Sequence, residues 1–162
     1  IESEQQLKDL NEALVQLDML LVIKIHPMQD PDTIKVHGLS NICVLTGTTV
    51  KRLNVDNYRL LKDSDALISD YSSIAYDYLM LNRPIGYDFS DLDSYTNGLC
   101  VDNPDEYIAG PKIYCYDELL GFLKAVSEEK DSYKEQRENL CRRIYKYTDG
   151  NSSKRIVEFM KL

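Results

Sequence analysis

Two hydrophobic periods alternate along this chain, and that alternation narrows the fold more than any other feature. Short continuous apolar runs are separated by longer stretches with apolar residues at helical spacing. Glu4 to Leu17 carries Leu7, Leu10, Leu14 and Leu17 at three- and four-residue intervals, which predicts an amphipathic helix. Leu20 to Ile25 is an apolar, β-branched run that suits a buried parallel strand, and His26-Pro27 ends it because Pro has no ladder donor. Further strands are expected at Ile42 to Leu45, Ala66 to Ser69, Pro84 to Tyr87 and Lys112 to Tyr116. Helices are expected at Asp56 to Ser64, with Tyr58, Leu60 and Leu61 on its apolar side, and at Ser73 to Leu81, a well-buried segment. Three more follow: Asp117 to Ser127 capped by Asp117, Asp131 to Tyr147, and Ser152 to Leu162 capped by Ser152 or Ser153. The stretch from Met28 to Asn41 reads as polar and irregular, and Asp88 to Gly110 as a long functional loop. Every strand-to-strand connection is long enough for a crossover. The expected fold class is therefore α/β, a parallel sheet with helices on both faces.

Composition removes several function classes. The 162 residues are 43% apolar and 28% charged, ordinary for a folded domain with a real core. A net charge of −8 argues against a nucleic-acid partner, since phosphate backbones need dense Lys and Arg. A local phosphate site remains compatible with that charge, because a few oriented N–H groups bind an anion against the global field. Cys43, Cys100, Cys115 and Cys141 match no zinc spacing and read as buried, reduced thiols of a cytoplasmic protein. No run approaches the roughly 18 apolar residues of a spanning helix, and no signal peptide is visible. The chain opens without Met on a helical pattern, which reads as a piece of a longer protein.

In parallel α/β sheets, ligands bind beyond the carboxyl ends of the strands. The residues to weigh are therefore His26, Thr46 to Thr49, Asp70 to Ser73, and Asp88 onward. Ile68-Ser69-Asp70-Tyr71-Ser72-Ser73-Ile74-Ala75-Tyr76-Asp77 takes a buried strand through polar residues into a helix. Ser72 and Ser73 stand where first-turn N–H groups point outward, and their hydroxyls can cap the helix or donate to phosphate. The helix dipole favours negative charge there. Asp77 lies one turn on, on the face of Ser73, where a carboxylate suits ligand hydroxyls rather than phosphate. The residues alone leave a capped helix without a ligand equally open. His26 can donate to a diphosphate or act as general acid, or simply bond a carbonyl. Lys24 is awkward inside a doubly covered strand and needs a partner or an edge position. His37 stands in a polar stretch with little to mark it. Asp91-Leu92-Asp93 fails as a calcium loop, because Thr96 replaces the required Gly and Asp102 the final Glu. No metal site, dinucleotide fingerprint or Walker loop is present. Tyr87, Tyr95 and Tyr107 can stack on a base or pack locally. Arg142, Arg143, Lys146, Lys154 and Arg155 read as a solvated face.

Three segments taken together carry a resemblance: Val22 to Pro27, Asp65 to Leu79, and Arg83-Pro84-Ile85. They resemble the CDP-glycerol glycerophosphotransferase family, the teichoic-acid primases and polymerases. Weaker matches follow in order at Tyr95 to Asp102, Gly110-Pro111 and Asp149-Gly150-Asn151-Ser152-Ser153. The resemblance implies the Rossmann-like C-terminal half of a two-domain GT-B fold. Residues 1–162 would be a single donor-nucleotide-binding domain that takes glycerol phosphate, or ribitol phosphate, from a CDP-linked donor to an acceptor hydroxyl and releases CMP. It implies that Lys24, Ile25 and His26 border the donor diphosphate, with His26 catalytic. Ser72 and Ser73 would contact phosphate, and Asp77 would bind donor hydroxyls. No cofactor is implied. The lipid-linked or polymer acceptor, the general base and any peripheral membrane contact at the inner face would belong to an absent N-terminal domain, so this piece is expected to be inactive alone and to bind donor weakly. Teichoic-acid and capsular polymers are the implied products. Asn97-Gly98 replaces the Arg-Gly of many relatives, which removes a phosphate clamp and leaves the donor open. The alternatives are a GT-B transferase of UDP- or CMP-sugars and a non-catalytic nucleotide-binding module.

Overall fold

The computed structural model describes residues 3–25, 38–70, 72–92 and 103–161. The chain divides into two compact units, Ile1–Asp65 with Ile113–Asp131, and Ala66–Lys112 with Ser132–Leu162.

In the first unit, α1 spans Glu4–Gln16, and the Ser3 hydroxyl caps it by accepting from the Gln6 N–H. Leu7, Leu10 and Leu14 form its buried stripe, with Leu10 at 0% exposure. Each such side chain contributes roughly 1.5–3 kcal/mol by leaving water. The strand β1, Leu21–Lys24, pairs parallel with β2, Ile42–Leu45, in the register Leu21 to Ile42. Leu20, expected in the strand, is exposed and lies just before it. Asn41 joins α1 to the strands: its N–H donates to Asn11 Oδ1 at 2.9 Å and its side-chain amide to the Met19 carbonyl at 2.8 Å.

Two helices follow, α2 at Gly47–Leu53 and α3 at Asn57–Asp63. No apolar periodicity announces α2, and its Gly, Thr and Val are poor helix formers. Its start is nevertheless encoded, because Thr46 Oγ1 accepts from the Thr49 N–H. Asp56 caps α3 through the Tyr58 and Arg59 N–H groups. The expected apolar side of α3 is shallow: Tyr58 is 66% exposed and no residue of the helix is buried. Helix α5, Tyr116–Ser127, completes the unit with Phe122 and Leu123 in the core. Its cap position is Cys115, not Asp117, which lies in the first turn; Glu118 instead accepts the Tyr114 N–H at 2.6 Å.

In the second unit, β3, Leu67–Ser69, pairs parallel with β4, Ile85–Asp88. The short strand β5, Lys112–Ile113, follows β4 in the strand order and spans the point where the chain leaves this unit. The five strands thus hydrogen-bond in two groups, β1-β2 and β3-β4-β5. Helix α4, Ile74–Tyr78, runs into a 3₁₀ turn at Leu79–Leu81 and stops at Asn82, which has φ +49°. The expected burial of this segment holds for Ala75, Tyr78 and Leu79, while Met80 faces outward. A second 3₁₀ turn, Pro104–Tyr107, lies inside the predicted loop. Helix α6 spans Lys134–Ile144 and α7 spans Ser152–Met160.

Asn151, not Ser152 or Ser153, holds the cap position of α7. Gly150 supplies the φ of +71° that the preceding turn needs. Asp149 accepts from the Asn151 N–H and from both terminal nitrogens of Arg155, whose guanidinium lies 3.9 Å over the Tyr147 ring. That guanidinium holds the Asp149 carboxyl well below the ordinary carboxylate value. A depressed folded-state value means this tie is fully present above about pH 4 and is lost as acid protonates the carboxylate. Titration from pH 6 to pH 3 followed by NMR is expected to leave the Arg155 side-chain shifts in place, because the depressed carboxyl stays ionised through the range in which a free Asp titrates, and shifts that move to free-chain values with a midpoint at about pH 4 would contradict the assigned pair.

Gly110 is a packing requirement. A Cβ there would overlap the Ile85 carbonyl oxygen of β4 and crowd Tyr87. Gly121, in α5, faces open space. Gly110→Ala is expected to lower stability by about 3 kcal/mol, the upper end of an ordinary overpacking cost, in urea unfolding, and Gly121→Ala to raise it by about 0.5–1 kcal/mol.

Candidate functional site

The sequence places its candidate residues at strand ends, and the elements explain their positions. Lys24 closes β1 and is exposed. β1 is an edge of its two-stranded group, which answers the awkwardness of a Lys in that run. Ile25 is buried, and its N–H donates to the Leu45 carbonyl at 3.2 Å. His26 lies outside the described residues, as do His37, Tyr71, Tyr95, Cys100 and the Asn97-Gly98 pair. Lys24 and Ile25 belong to the first unit, and Ser72, Ser73 and Asp77 to the second.

The polar turn after β3 is built from its own side chains. Asp70 Oδ1 accepts the Ser72 N–H at 3.1 Å, an Asx turn that bends the chain out of the strand. Ser72 Oγ stands 3.5 Å from the Ile74 N–H, the outer limit of a hydrogen bond. Ser73 occupies the cap position of α4 but makes no side-chain cap bond, and it already has helical angles, φ −62° and ψ −13°. The carbonyls of Ser72 and Ser73 take the N–H groups of Ala75 and Tyr76. Both hydroxyls are therefore exposed and only weakly used by the fold. The Ser72 N–H is already committed to Asp70, so anion binding here would fall to the hydroxyls more than to that amide. At five residues α4 has only a small dipole to add.

Two features beside the turn were not legible in the sequence, the unpartnered Ser69 hydroxyl and the contact that holds Asp77. Ser69, the last residue of β3, is 6% exposed, and its hydroxyl has no hydrogen-bond partner among the described residues. Asp77, half-buried one turn into α4, accepts from the Tyr145 hydroxyl at 3.0 Å. Tyr145 is the residue on which α6 ends, 68 positions away, and no local pattern relates the two.

The basic residues of the last helices are not uniformly solvated. Arg143 lies 4.7 Å over the Tyr107 ring and donates to the Glu106 carbonyl. Tyr107 meets Tyr76 edge-to-face at 6.4 Å. Tyr87 is buried against Ala109, and burial raises its phenol above the ordinary value. Cys43 and Cys141 are half-buried and Cys115 is exposed, so the expected burial of the thiols fails for all three described cysteines. Among the described residues no three His, Cys, Asp or Glu side chains could hold a metal ion, and no helix is long and apolar enough to cross a membrane.

The family model for CDP-Glycerol:Poly(glycerophosphate) glycerophosphotransferase matches residues 1–162. The chain belongs to this family. A teichoic acid glycerol-phosphate primase of Bacillus subtilis is 29% identical over 163 residues, covering 95% of this chain and 41% of the relative. A teichoic acid glycerol-phosphate transferase of Staphylococcus aureus is 32% identical over 112 residues, covering 65% of this chain and 28% of the relative. A solved structure of the wall teichoic acid polymerase TagF superposes with a TM-score of 0.77 at 26% identity, covering 99% of this chain and 38% of that one. The fold is therefore the parallel α/β class that the sequence implied, and the chain spans well under half the length of these relatives. The family's members among these relatives are enzymes of teichoic acid synthesis.

Because the Ser73 hydroxyl makes no cap bond, removing it costs the fold little. Ser73→Ala is expected to stay within about 0.5 kcal/mol of the unaltered chain in urea unfolding, whereas Thr46→Ala, which removes a formed cap, loses about 1 kcal/mol. A loss of 1 kcal/mol or more at Ser73 would assign its hydroxyl to the fold instead.

Proposed function

We propose that this chain binds the CDP-linked donor of a transferase that moves glycerol phosphate, or ribitol phosphate, to an acceptor hydroxyl in teichoic-acid-like polymer synthesis. The observation that carries the reading is the match of the glycerophosphotransferase family model over all 162 residues. Curated relatives include both glycerol-phosphate and ribitol-phosphate enzymes, which is why the polyol stays open. The exposed Ser72 and Ser73 hydroxyls at the carboxyl end of a parallel strand support it, since they can donate to phosphate oxygens.

In the proposed reaction the acceptor oxygen attacks the phosphorus that bears the polyol. The bond from that phosphorus to the bridging oxygen breaks, and CMP leaves with the electron pair. The acceptor's proton passes to a base outside this chain. Ser72 and Ser73 hold donor phosphate oxygens, Lys24 and Ile25 border the diphosphate, and Asp77 accepts from the polyol hydroxyls. His26 donates to the oxygen on which charge grows as CMP departs, the point at which electrostatic help lowers the barrier. The lipid-linked or polymer acceptor, a capsular product and a position at the inner face of the membrane belong to the same proposal.

The test is an NMR titration of the chain with CDP-glycerol, CDP-ribitol, CMP and a UDP-sugar. Cytidine ligands are expected to shift the resonances of Ser72, Ser73 and His26 at millimolar concentration, with the UDP-sugar weaker. Silence of all three residues toward every cytidine ligand would overturn the donor-site assignment.

A further inference from the structure

Among the described donor-binding candidates, Asp77 is held by a side chain far away in sequence. Its Oδ1 accepts from the Tyr145 hydroxyl at 3.0 Å in a half-buried setting. Tyr145 is placed by α6, and α6 is pinned to the α4 segment at a second point. The guanidinium of Arg137 donates from Nε to Asn82 Oδ1 and from Nη2 to the Asn82 carbonyl, both at 3.2 Å. Asn82 in turn donates to Glu138 Oε1 at 2.8 Å. Tyr145, the residue just past the end of α6, stands eight positions beyond Arg137, about 12 Å along the helix axis. Asp77 and Asn82 bracket the end of α4 and its 3₁₀ extension. The two helical segments are thus tied at two separated points, and the tie at the outer end is made to the proposed ligand-binding carboxylate.

Side-chain burial limits the alternatives for Asp77. Its neighbours Ala75 and Tyr78 are buried, so the backbone beneath the carboxylate has little freedom to shift. What remains adjustable is rotation of the carboxylate, and the hydrogen bond from Tyr145 to Oδ1 restrains it. A phenol is a neutral donor at neutral pH, so it orients the carboxylate without cancelling its charge, as a guanidinium or ammonium in its place would.

We propose that Tyr145 is a positioning residue for polyol recognition: its hydroxyl fixes the plane of the Asp77 carboxylate so that the second oxygen meets the hydroxyls of the donor's glycerol or ribitol. The proposal rests on the reading of Asp77 as a donor-binding residue. It makes Tyr145 selective for the polyol end of the donor and indifferent to the nucleotide end.

The experiment compares CDP-glycerol with CMP, which lacks the polyol, as probes of the 162-residue chain. Tyr145→Phe, which removes a single oxygen, is expected to weaken CDP-glycerol about 3- to 10-fold, the span of one ordinary hydrogen bond, and to leave CMP within about 2-fold. In an Asp77→Asn background the same substitution should change CDP-glycerol affinity by less than about 2-fold, because the carboxylate it orients is gone. Equal losses for both ligands, or none for either, overturn the positioning role while leaving the donor site standing. If the unaltered chain binds neither ligand, the donor reading itself fails and this inference with it. A measurement independent of any variant's folding uses the unaltered chain: the Tyr145 ring resonances should move with CDP-glycerol and stay in place with CMP. An identical response to the two ligands overturns the proposal.

Discussion

A buried guanidinium organises the second unit. Arg137 is 1% exposed, and a charge in that setting is tolerated only when its donors are met by well-placed acceptors. Asn82 supplies two of them, one from its side chain and one from its backbone. To do so Asn82 sits in the left-handed region at φ +49°, a conformation Asn accepts more readily than most residues. The stop of the α4 segment and the placement of α6 are therefore a single event. Tyr78 and Leu79 pack beneath the same corner, and Leu140 on α6 is buried one turn beyond Arg137. The setting of Asp77 depends on this corner, because the placement of α6 decides that Tyr145, just past its end, reaches the carboxylate.

Around that corner the chain separates fold from chemistry. Ser3, Thr46 and Asp56 spend their side chains on helix starts, each with a formed bond to a backbone N–H. The turn after β3 has the same residue types but leaves Ser73 without a cap bond and Ser72 with only a marginal one. Asp70 does the bending instead. Hydroxyls not needed by the backbone are the ones able to meet a ligand.

Much of the architecture was legible because it follows from local pattern. The Leu stripe of α1 and the β-branched run at Ile42–Leu45 have one reasonable reading each. Helix α2 was not legible, since a Thr cap followed by poor helix formers carries no hydrophobic period. The caps of α5 and α7 were misread by one or two positions. Asp117 and Ser152 are good cap residues, but the chain enters each helix earlier, at Cys115 and Asn151, where Glu118 and the Asp149–Arg155 pair stabilise the entry. Arg137 stands inside the expected helix Asp131 to Tyr147 with nothing in the sequence to mark it, and it is the most deeply buried charge of the described residues.

The sequence by itself determined the fold class, the family and the polar turn between β3 and α4, because these depend on residues close together along the chain. Periodicity, turn chemistry and a motif each act within a dozen positions. Only the tertiary structure decided that Asn82 receives Arg137, that Gly110 must lack a side chain beneath Ile85, and that Asp77 is held by Tyr145. Those contacts join residues 25 to 68 positions apart. Their partners are chosen by which surfaces remain to be covered once the helices and strands have formed, and no local rule encodes that choice.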